Sequence, residues 1–315
     1  MRKTVLAFMS QHHMTEGVKK VVIGVSGGPD SMALVYFMAK EFPDLELIAA
    51  HVNHGIRKEA GEDESLVVDF CRKLGLKTEL CHIDVPALAL DAKLGLEETG
   101  RRERYAFFRS LNPDLIMTAH HIDDDAESIM LHFIRGCGLK GICGIEPLQN
   151  GIARPFLPVS KSELVKYCEE NEIPYALDKT NTDTDYTRNR IRCEVLPELK
   201  KINPNIIETV SRFGTITAAD YDFLNRTAAD RYEEICVKKE EGVYILAKVL
   251  LKEHPALSRR IVRMACVELG VDIDYDKTVR ILALTTGKWL PLTTGIRVQR
   301  SREYFMFIKE IKEHN

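Results

Sequence analysis

Apolar positions along the chain follow two regimes, and the change falls near residue 200. In the first regime short apolar runs alternate with stretches of helical spacing. VVIGV at 21–25 is rich in β-branched residues and bounded by glycine, so it reads as a buried strand. Residues 32–41 follow at helical period, and LELIAAHV at 45–52 is the next strand. An amphipathic helix over 62–74 is stopped by Gly75, and 77–83 is a third strand. An arginine-rich helix covers 97–111, a fourth strand 114–118, and a helix 123–135. After a loop at 136–153 another helix covers 162–172. Strands separated by helices require right-handed crossovers, which predicts an α/β fold with a parallel, doubly wound sheet covered on both faces.

The second regime is mostly helical. Residues 203–237 form a long helical stretch with a break expected inside it, and 243–247 are a short strand. Helices follow over 255–269, which carries Arg259, Arg260 and Arg263, and over 276–284. Residues 288–308 alternate in period two and read as a small antiparallel unit. The division expected is a catalytic domain over 1–200 and a smaller, mostly helical α+β domain over 201–315 with a β finish.

Composition narrows the function classes. The 315 residues are 45% hydrophobic and 29% charged, enough for a large core and two domains. No apolar run approaches the roughly 18 residues of a membrane span. The first twenty residues turn to histidine and lysine too soon for a signal peptide. A cytoplasmic location without a membrane partner is expected. The eight cysteines contain no C-x-x-C pair, which leaves no signal for a zinc ribbon or an iron–sulfur site and reads as small buried hydrophobes in a reducing compartment. The formal charge is −3, but it is unevenly divided. Residues 201–315 hold 19 Lys and Arg against 16 Asp and Glu, while 1–200 hold 25 against 31. A mildly basic tail on an acidic body is compatible with RNA contact.

The chemistry concentrates first at Ser26-Gly27-Gly28-Pro29-Asp30-Ser31, between a strand and a helix. Glycines let backbone N–H groups close on an anion, and the starting helix adds the positive end of its dipole. Asp30 belongs beside a phosphate only if a cation joins them, so a divalent metal such as Mg2+ is implied. The loop has no lysine and is neither the G-x-x-x-x-G-K-[ST] loop nor the G-x-G-x-x-G fingerprint. A second concentration is acidic. Asp123, Asp124 and Glu127 share a face at a predicted helix start. Carboxylates there also serve as ordinary caps and dipole partners. His120 and His121 read as packing or nucleotide contacts, and Arg101, Arg102 and Arg104 as either functional or solvating.

The SGGPDS turn after an apolar strand resembles the PP-loop of the N-type ATP pyrophosphatases. Further segments, in order, resemble one branch of that superfamily, the tRNA(Ile)-lysidine synthases. They are His51-Val52-Asn53-His54-Gly55-Ile56-Arg57, Arg101-Arg102-Glu103-Arg104-Tyr105, Thr118-Ala119-His120-His121-Ile122-Asp123-Asp124-Asp125-Ala126-Glu127-Ser128, Arg154-Pro155-Phe156-Leu157, residues 178–181, and Arg188-Asn189-Arg190-Ile191-Arg192. Asp125 stands where many relatives are expected to carry glutamine, and longer relatives are expected to carry a further C-terminal domain.

The resemblance implies a Rossmann-like PP-loop fold and a two-step ligation. The O2 of the wobble cytidine attacks the α-phosphate of ATP, and the ε-amine of free L-lysine then displaces AMP from C2. The substrates implied are ATP, lysine and isoleucine tRNA with a CAU anticodon, and a homodimer is among the assemblies admitted. ATP is assigned to Ser26, Gly27, Gly28, Pro29, Asp30, Ser31, His51, Asn53 and His54, with Asp30 also holding the metal. Asp30, Asp123, Asp124 and Arg104 are the catalytic candidates. Asp123, Asp124 and Glu127 face the ammonium of lysine, and Arg188 or Arg192 its carboxylate. Arg154, Arg190, Arg259, Arg260 and Arg263 are the candidates for tRNA. Three rivals stay open: a PP-loop enzyme that inserts sulfur into tRNA, with Cys137 and Cys143 as its candidates, a small-molecule amidating ligase, and a nucleotide sensor.

Overall fold

The computed structural model describes residues 1–53, 60–93, 95–176 and 187–309. The chain forms two compact units, Met1–Ile216 and Thr217–Asn315. Their boundary lies inside the long helix that the sequence places after residue 200.

The first unit is built on a six-stranded sheet of order β3-β2-β1-β4-β6-β5. The strands are β1 (Lys20–Gly24), β2 (Glu46–Asn53), β3 (Lys77–His82), β4 (Leu115–Met117), β5 (Leu148–Gln149) and β6 (Ile152–Ala153). Every pairing is parallel except the edge hairpin β5–β6. The unbroken apolar run of β1 is explained by burial on both faces. Val21 and Ile23 join a core with Met32, Phe37, Met117 and Phe156, while Val22 joins Ile48, Ala50, Phe108 and Ile116 on the opposite side. Helices α1 (Arg2–Gln11), α2 (Pro29–Glu41), α3 (Ala60–Lys73) and α8 (Lys161–Glu170) supply the first layer. Helix α5 (Leu96–Ser110) supplies the second through Tyr105 and Phe108. Each large apolar side chain fully buried here contributes about 1.5–3 kcal/mol.

Several elements differ from the sequence reading. Residues 2–11 form α1, whose Val5 and Met9 are buried. VPALALDA forms an unanticipated helix, α4 (Val85–Ala92), capped by Asp84, which accepts from the Ala87 amide. The loop at 136–153 contains a short helix, α7 (Leu139–Ile142), and the β5–β6 hairpin. Helix α6 (Ile122–Arg135) lies near its expected place. The expected break in the long helix is absent, and α11 (Ile206–Ile235) runs for 30 residues. Gly214 lies inside that helix and is held there by packing. A Cβ there would lie 2.6 Å from Ile129 Cδ1 and 3.1 Å from the Ile142 carbonyl oxygen. It is therefore a packing glycine rather than a helix stop.

The second unit holds a five-stranded antiparallel sheet of order β7-β8-β11-β10-β9. Its strands are β7 (Cys236–Lys239), β8 (Gly242–Leu246), β9 (Trp289–Thr293), β10 (Ile296–Arg300) and β11 (Tyr304–Lys309). One face packs Val243, Ile245, Val298, Phe305 and Phe307 against apolar residues of α11, α12 (Ala247–Leu250), α13 (Pro255–Glu268) and α14 (Tyr275–Leu282). Period-two alternation in the last strands thus has a single buried side, as expected of an antiparallel sheet covered by helices on one face. Among the described residues no helix is long and apolar enough to cross a membrane. Cys71, Cys168 and Cys266 are buried, whereas Cys137 and Cys193 are exposed, so the expectation of uniformly buried cysteines holds for only part of the set.

Candidate active site at the switch point of the sheet

Strands β1 and β4 are neighbours, with β2 and β3 beyond one and β6 and β5 beyond the other. The chain reverses its direction of winding between them, and open α/β sheets bind ligands in the crevice outside the carboxyl ends of such strands. The segments that leave those ends are 25–31 and 118–124, which carry the glycine-rich turn and the start of the acidic helix.

The turn is fixed from within. Ser31 Oγ accepts from the Ser26 amide at 3.0 Å and donates to the Gly28 carbonyl at 3.0 Å, and the two serine hydroxyls are 3.2 Å apart. Gly27 has φ +90°, a region that side chains resist. Gly28 caps α2, Pro29 occupies its first turn, and Asp30 follows. Ser26 is exposed, while Gly27, Pro29 and Ser31 are buried. The turn leads into a helix N-terminus, a nest of the kind that takes an anion, although the Ser26 and Gly28 amides already donate to serine hydroxyls and Pro29 has no N–H.

Asp30 does not stand alone. Lys161, the first residue of α8, brings its Nζ to 2.7 Å from both Oδ1 and Oδ2. The Lys161 backbone amide donates to Asp123 Oδ2 at 2.9 Å. One residue therefore joins the phosphate turn to the acidic helix. Sequence reading missed it, because the contact spans 131 residues and the local pattern signals only a helix start. His121 lies on the same line. It is 5% exposed, and its ring nitrogens are 3.7 Å from Asp30 Oδ2, 3.5 Å from Asp123 Oδ2 and 3.4 Å from Asp124 Oδ2. Burial works to lower its pKa, but Asp123, Asp124 and Asp30 outweigh burial and raise it above the ordinary histidine value. Burial likewise opposes ionisation of Asp123, yet His121 and the Lys161 amide hold that carboxyl at about 2.

A second cluster adjoins the first. Glu127, whose side chain is 2% exposed, accepts from Arg188 Nε at 3.0 Å and from Arg192 Nε and Nη2 at 2.6 and 2.8 Å. Asp124 Oδ1 lies 3.1 Å from Arg188 Nη2 and 3.4 Å from Arg192 Nη2. The two arginines lie four apart on a helical stretch comprising α9 (Thr187–Arg190), a π-helical turn at Ile191–Val195, and α10 (Leu196–Ile202). The carboxylates and guanidiniums that sequence reading set on opposite ends of a bound amino acid are thus paired with each other here. Glu127 is the buried anchor of the box, and Asp123 and Asp124 line its more open side.

The remaining candidates divide. His51 is 4% exposed, and its Nδ1 lies 2.9 Å from the Val25 carbonyl, beside the start of the turn. Asn53 ends β2, and His54 lies outside the described residues, as does the motif at 178–181. Arg104 is exposed on α5, and Arg102 pairs with Glu103. The charge of Arg101, instead, reaches both His120 and Arg154. Burial, with the Arg154, Arg188 and Arg101 charges, pushes His120 down to about 4 against the pull of Asp124. Arg154, grouped with RNA contacts on sequence, is 4% exposed and donates to the Glu146 carbonyl at 2.6 Å. Arg190 is exposed and pairs with Glu194 at 3.4 Å. In the second unit Arg260 bonds Asn225 and the Ala256 carbonyl, Arg263 pairs with Asp272, and Arg259 lies over the Tyr275 ring.

Asp125 bridges other elements. Its Oδ1 accepts from the Ile145 amide at 2.6 Å and its Oδ2 from Ser211 Oγ at 2.7 Å. Burial raises its pKa, against these two bonds. Among the described residues no three His, Cys, Asp or Glu side chains converge as metal ligands. A magnesium ion held mainly by phosphates needs only one or two protein carboxylates, and Asp30 at the mouth of the anion nest is of that chemistry.

The family model of the PP-loop domain matches residues 2–199. The tRNA(Ile)-lysidine synthase of Clostridium acetobutylicum is 35% identical, over 93% of this chain and 67% of that protein. That of Clostridium perfringens is 32% identical, over 94% and 66%. The bifunctional protein TilS/HprT of Listeria monocytogenes is 34% identical, over 83% and 42%. The chain thus spans about two thirds, or less, of the length of these curated relatives. In structure it is similar to the U34-tRNA thiolase NcsA of Methanococcus maripaludis, with TM-score 0.56 and 19% identity over 69% of this chain and 78% of that one, a likeness of fold. With the PP-loop matched over the first unit and the relatives matched over most of its length, the chain belongs to the tRNA(Ile)-lysidine synthase family of PP-loop proteins.

Proposed function

We propose that the chain ligates free L-lysine to C2 of the wobble cytidine of isoleucine tRNA with a CAU anticodon, using ATP and releasing AMP and pyrophosphate. The observation that carries the reading is the double engagement of Lys161, which sets an anion nest and a carboxylate box within one residue's reach of each other. Adenylation needs the nest, and capture of an amino acid needs the box.

In this reading Ser26, Gly27, Gly28, Pro29 and Ser31 cradle the triphosphate, with His51 and Asn53 beside the nucleotide. Asp30 would hold the Mg2+ that accompanies ATP, and the ion would supply neutralisation of developing phosphate charge. The Lys161 ammonium turns from Asp30 towards the phosphates when the nucleotide enters. Asp123 and Asp124 attract the lysine ammonium, and one of them takes its proton, since only the neutral amine attacks. Arg188 and Arg192 hold the lysine carboxylate while Glu127 holds them. Arg104 completes the catalytic set and Arg190 contacts RNA, both from exposed positions. Free lysine, ATP and tRNA meet in the cytoplasm, where this reaction is placed.

The test is incubation with ATP, radiolabelled lysine and the unmodified CAU-anticodon isoleucine tRNA, with methionine tRNA as control. Label should enter only the isoleucine tRNA, with one AMP and one pyrophosphate formed for each lysine. Formation of ADP and orthophosphate, or of no labelled RNA, overturns the reading.

A further inference from the structure

The sheet of the second unit has a second face. Its core face is covered by helices, but Tyr244, Tyr304, Met306 and Trp289 take no part in that core. The register sets them side by side. Val237 opposes Tyr244, Tyr244 opposes Met306, Met306 opposes Gln299, and Gln299 opposes Trp289. A single row thus crosses all five strands. Tyr304 adds a ring on the same face, 6.0 Å from Tyr244 in an edge-on arrangement. Trp289 is 54% exposed.

Cations interleave with these rings. Lys239 Nζ lies 4.4 Å from the centre of the Tyr244 ring, and the Arg297 guanidinium lies 5.9 Å from Trp289. From 285 to 309 the chain carries Lys288, Arg297, Arg300, Arg302 and Lys309 against Glu303 as the one acid. The arginines of α13 that the sequence nominated for RNA are engaged with Asn225, Asp272 and Tyr275, and on the sheet Arg300 donates to the Leu284 carbonyl.

We propose that this face is a stacking platform for unpaired RNA bases. Trp289, Tyr244 and Tyr304 offer π-faces, Gln299 offers a donor and an acceptor to a base edge, and Lys239 and Arg297 meet the phosphates. A bare antiparallel sheet face with aromatic residues and flanking cations recognises single strands rather than duplexes, because only splayed bases expose their rings. The proposal rests on the tRNA reading above and names a surface for it.

Trp289 is the only tryptophan in the chain, so its emission reports on this face directly. The full chain is titrated with a single-stranded RNA of mixed sequence, with the unmodified isoleucine tRNA, and with a blunt RNA duplex. Saturable quenching by the first two and little by the duplex is expected. With end-labelled RNA, Trp289→Ala should weaken binding roughly five- to hundred-fold, the range for losing one stacked base, and Trp289→Phe should retain most of it. Gln299→Glu, which leaves every ring in place, should also weaken RNA binding. ATP affinity should be unchanged in all three, with far-UV circular dichroism as the control on folding. RNA affinity equal to the parent in both Trp289→Ala and Gln299→Glu overturns the proposal. So does conversion of a dimer to a monomer by Trp289→Ala with RNA affinity unchanged, which would give the face to a second copy. If quenching occurs but no lysine enters tRNA, the functional reading fails and the platform stands.

Discussion

Replacing Lys161 with methionine removes the ammonium but keeps the stem and the backbone amide that holds Asp123. It therefore isolates the pairing with Asp30. Two unit charges about 3 Å apart attract by about 1.4 kcal/mol at the dielectric of water and by several times that at an effective value near 20. The Lys161 side chain is 42% exposed and that of Asp30 25%, so water screens the pair and the lower end governs. The bidentate geometry at 2.7 Å to each oxygen lifts it above an ordinary surface pair. A net value of about 1–2 kcal/mol follows, which is roughly a five- to thirty-fold factor in an equilibrium.

That factor should appear with opposite signs in two assays. In the empty protein the ammonium competes with a divalent cation for Asp30, so Lys161→Met should tighten binding of Mn2+, used as a paramagnetic stand-in for Mg2+, by up to that factor. With nucleotide present the same ammonium is needed by the phosphates, so ATP affinity should fall by about ten-fold. Pyrophosphate release should fall further, because charge on the leaving group grows in the transition state. Lys161→Arg should restore part of the ATP affinity. If metal and nucleotide affinities both match the parent, the lysine is a surface ion pair and its proposed exchange between Asp30 and phosphate is wrong.

Glu127→Gln leaves two guanidiniums facing a neutral amide in a buried place, and with each arginine about one third exposed it should cost about 1–3 kcal/mol in urea unfolding at neutral pH; an unchanged midpoint would show that the box holds without it. Gly27→Ala has room for its methyl group, since the nearest atom is Asp63 Cβ at 3.6 Å, but must adopt φ +90°. About 1–2 kcal/mol of backbone strain should therefore weaken ATP binding, and parental ATP affinity would show that the turn's shape is dispensable. For Asp125 the sign follows from its raised pKa. The folded state keeps the proton to higher pH than the unfolded chain, so stability from this group is full at acid pH and is lost as pH rises through the folded value. Asp125→Asn should raise the melting temperature at neutral pH, with the gain vanishing below the ordinary carboxylate range; a gain independent of pH would point to packing instead.

The α/β class was legible because it depends on local period. Val21, Val22 and Ile23 are buried on both sides of one strand, and such a run leaves a signature in any short window. The antiparallel finish at 296–308 is equally local. Apart from α1 and α4, what stayed hidden was short or distant. Strands β5 and β6 have two residues each, too few to show a period. Gly214 packs against Ile129 and Ile142, which lie on other elements, so its place inside an unbroken helix leaves no trace in a short window. The turn at 26–31 and the acids at 123–127 were visible as separate sites. That Asp124 and Glu127 hold Arg188 and Arg192 across more than sixty residues required the fold. Complementary charges in a sequence say that a pairing is available, not which partners take it.

In the proposed reading, Lys161 explains why a phosphate turn can do without a lysine of its own. In a loop that includes its own lysine, the positive charge is present whenever the loop is folded. Here the charge arrives from the first turn of α8, which Ser160 caps by accepting from the Glu163 amide. The same first turn fixes Asp123 through the Lys161 amide. Any shift of that turn moves the cation beside Asp30 and the carboxylate of Asp123 together. A separate loop lysine would decouple them. Two half-reactions that share one crevice, in the proposed order of adenylation and then amine attack, gain from such a link, because the position of the first site's charge is tied to the shape of the second.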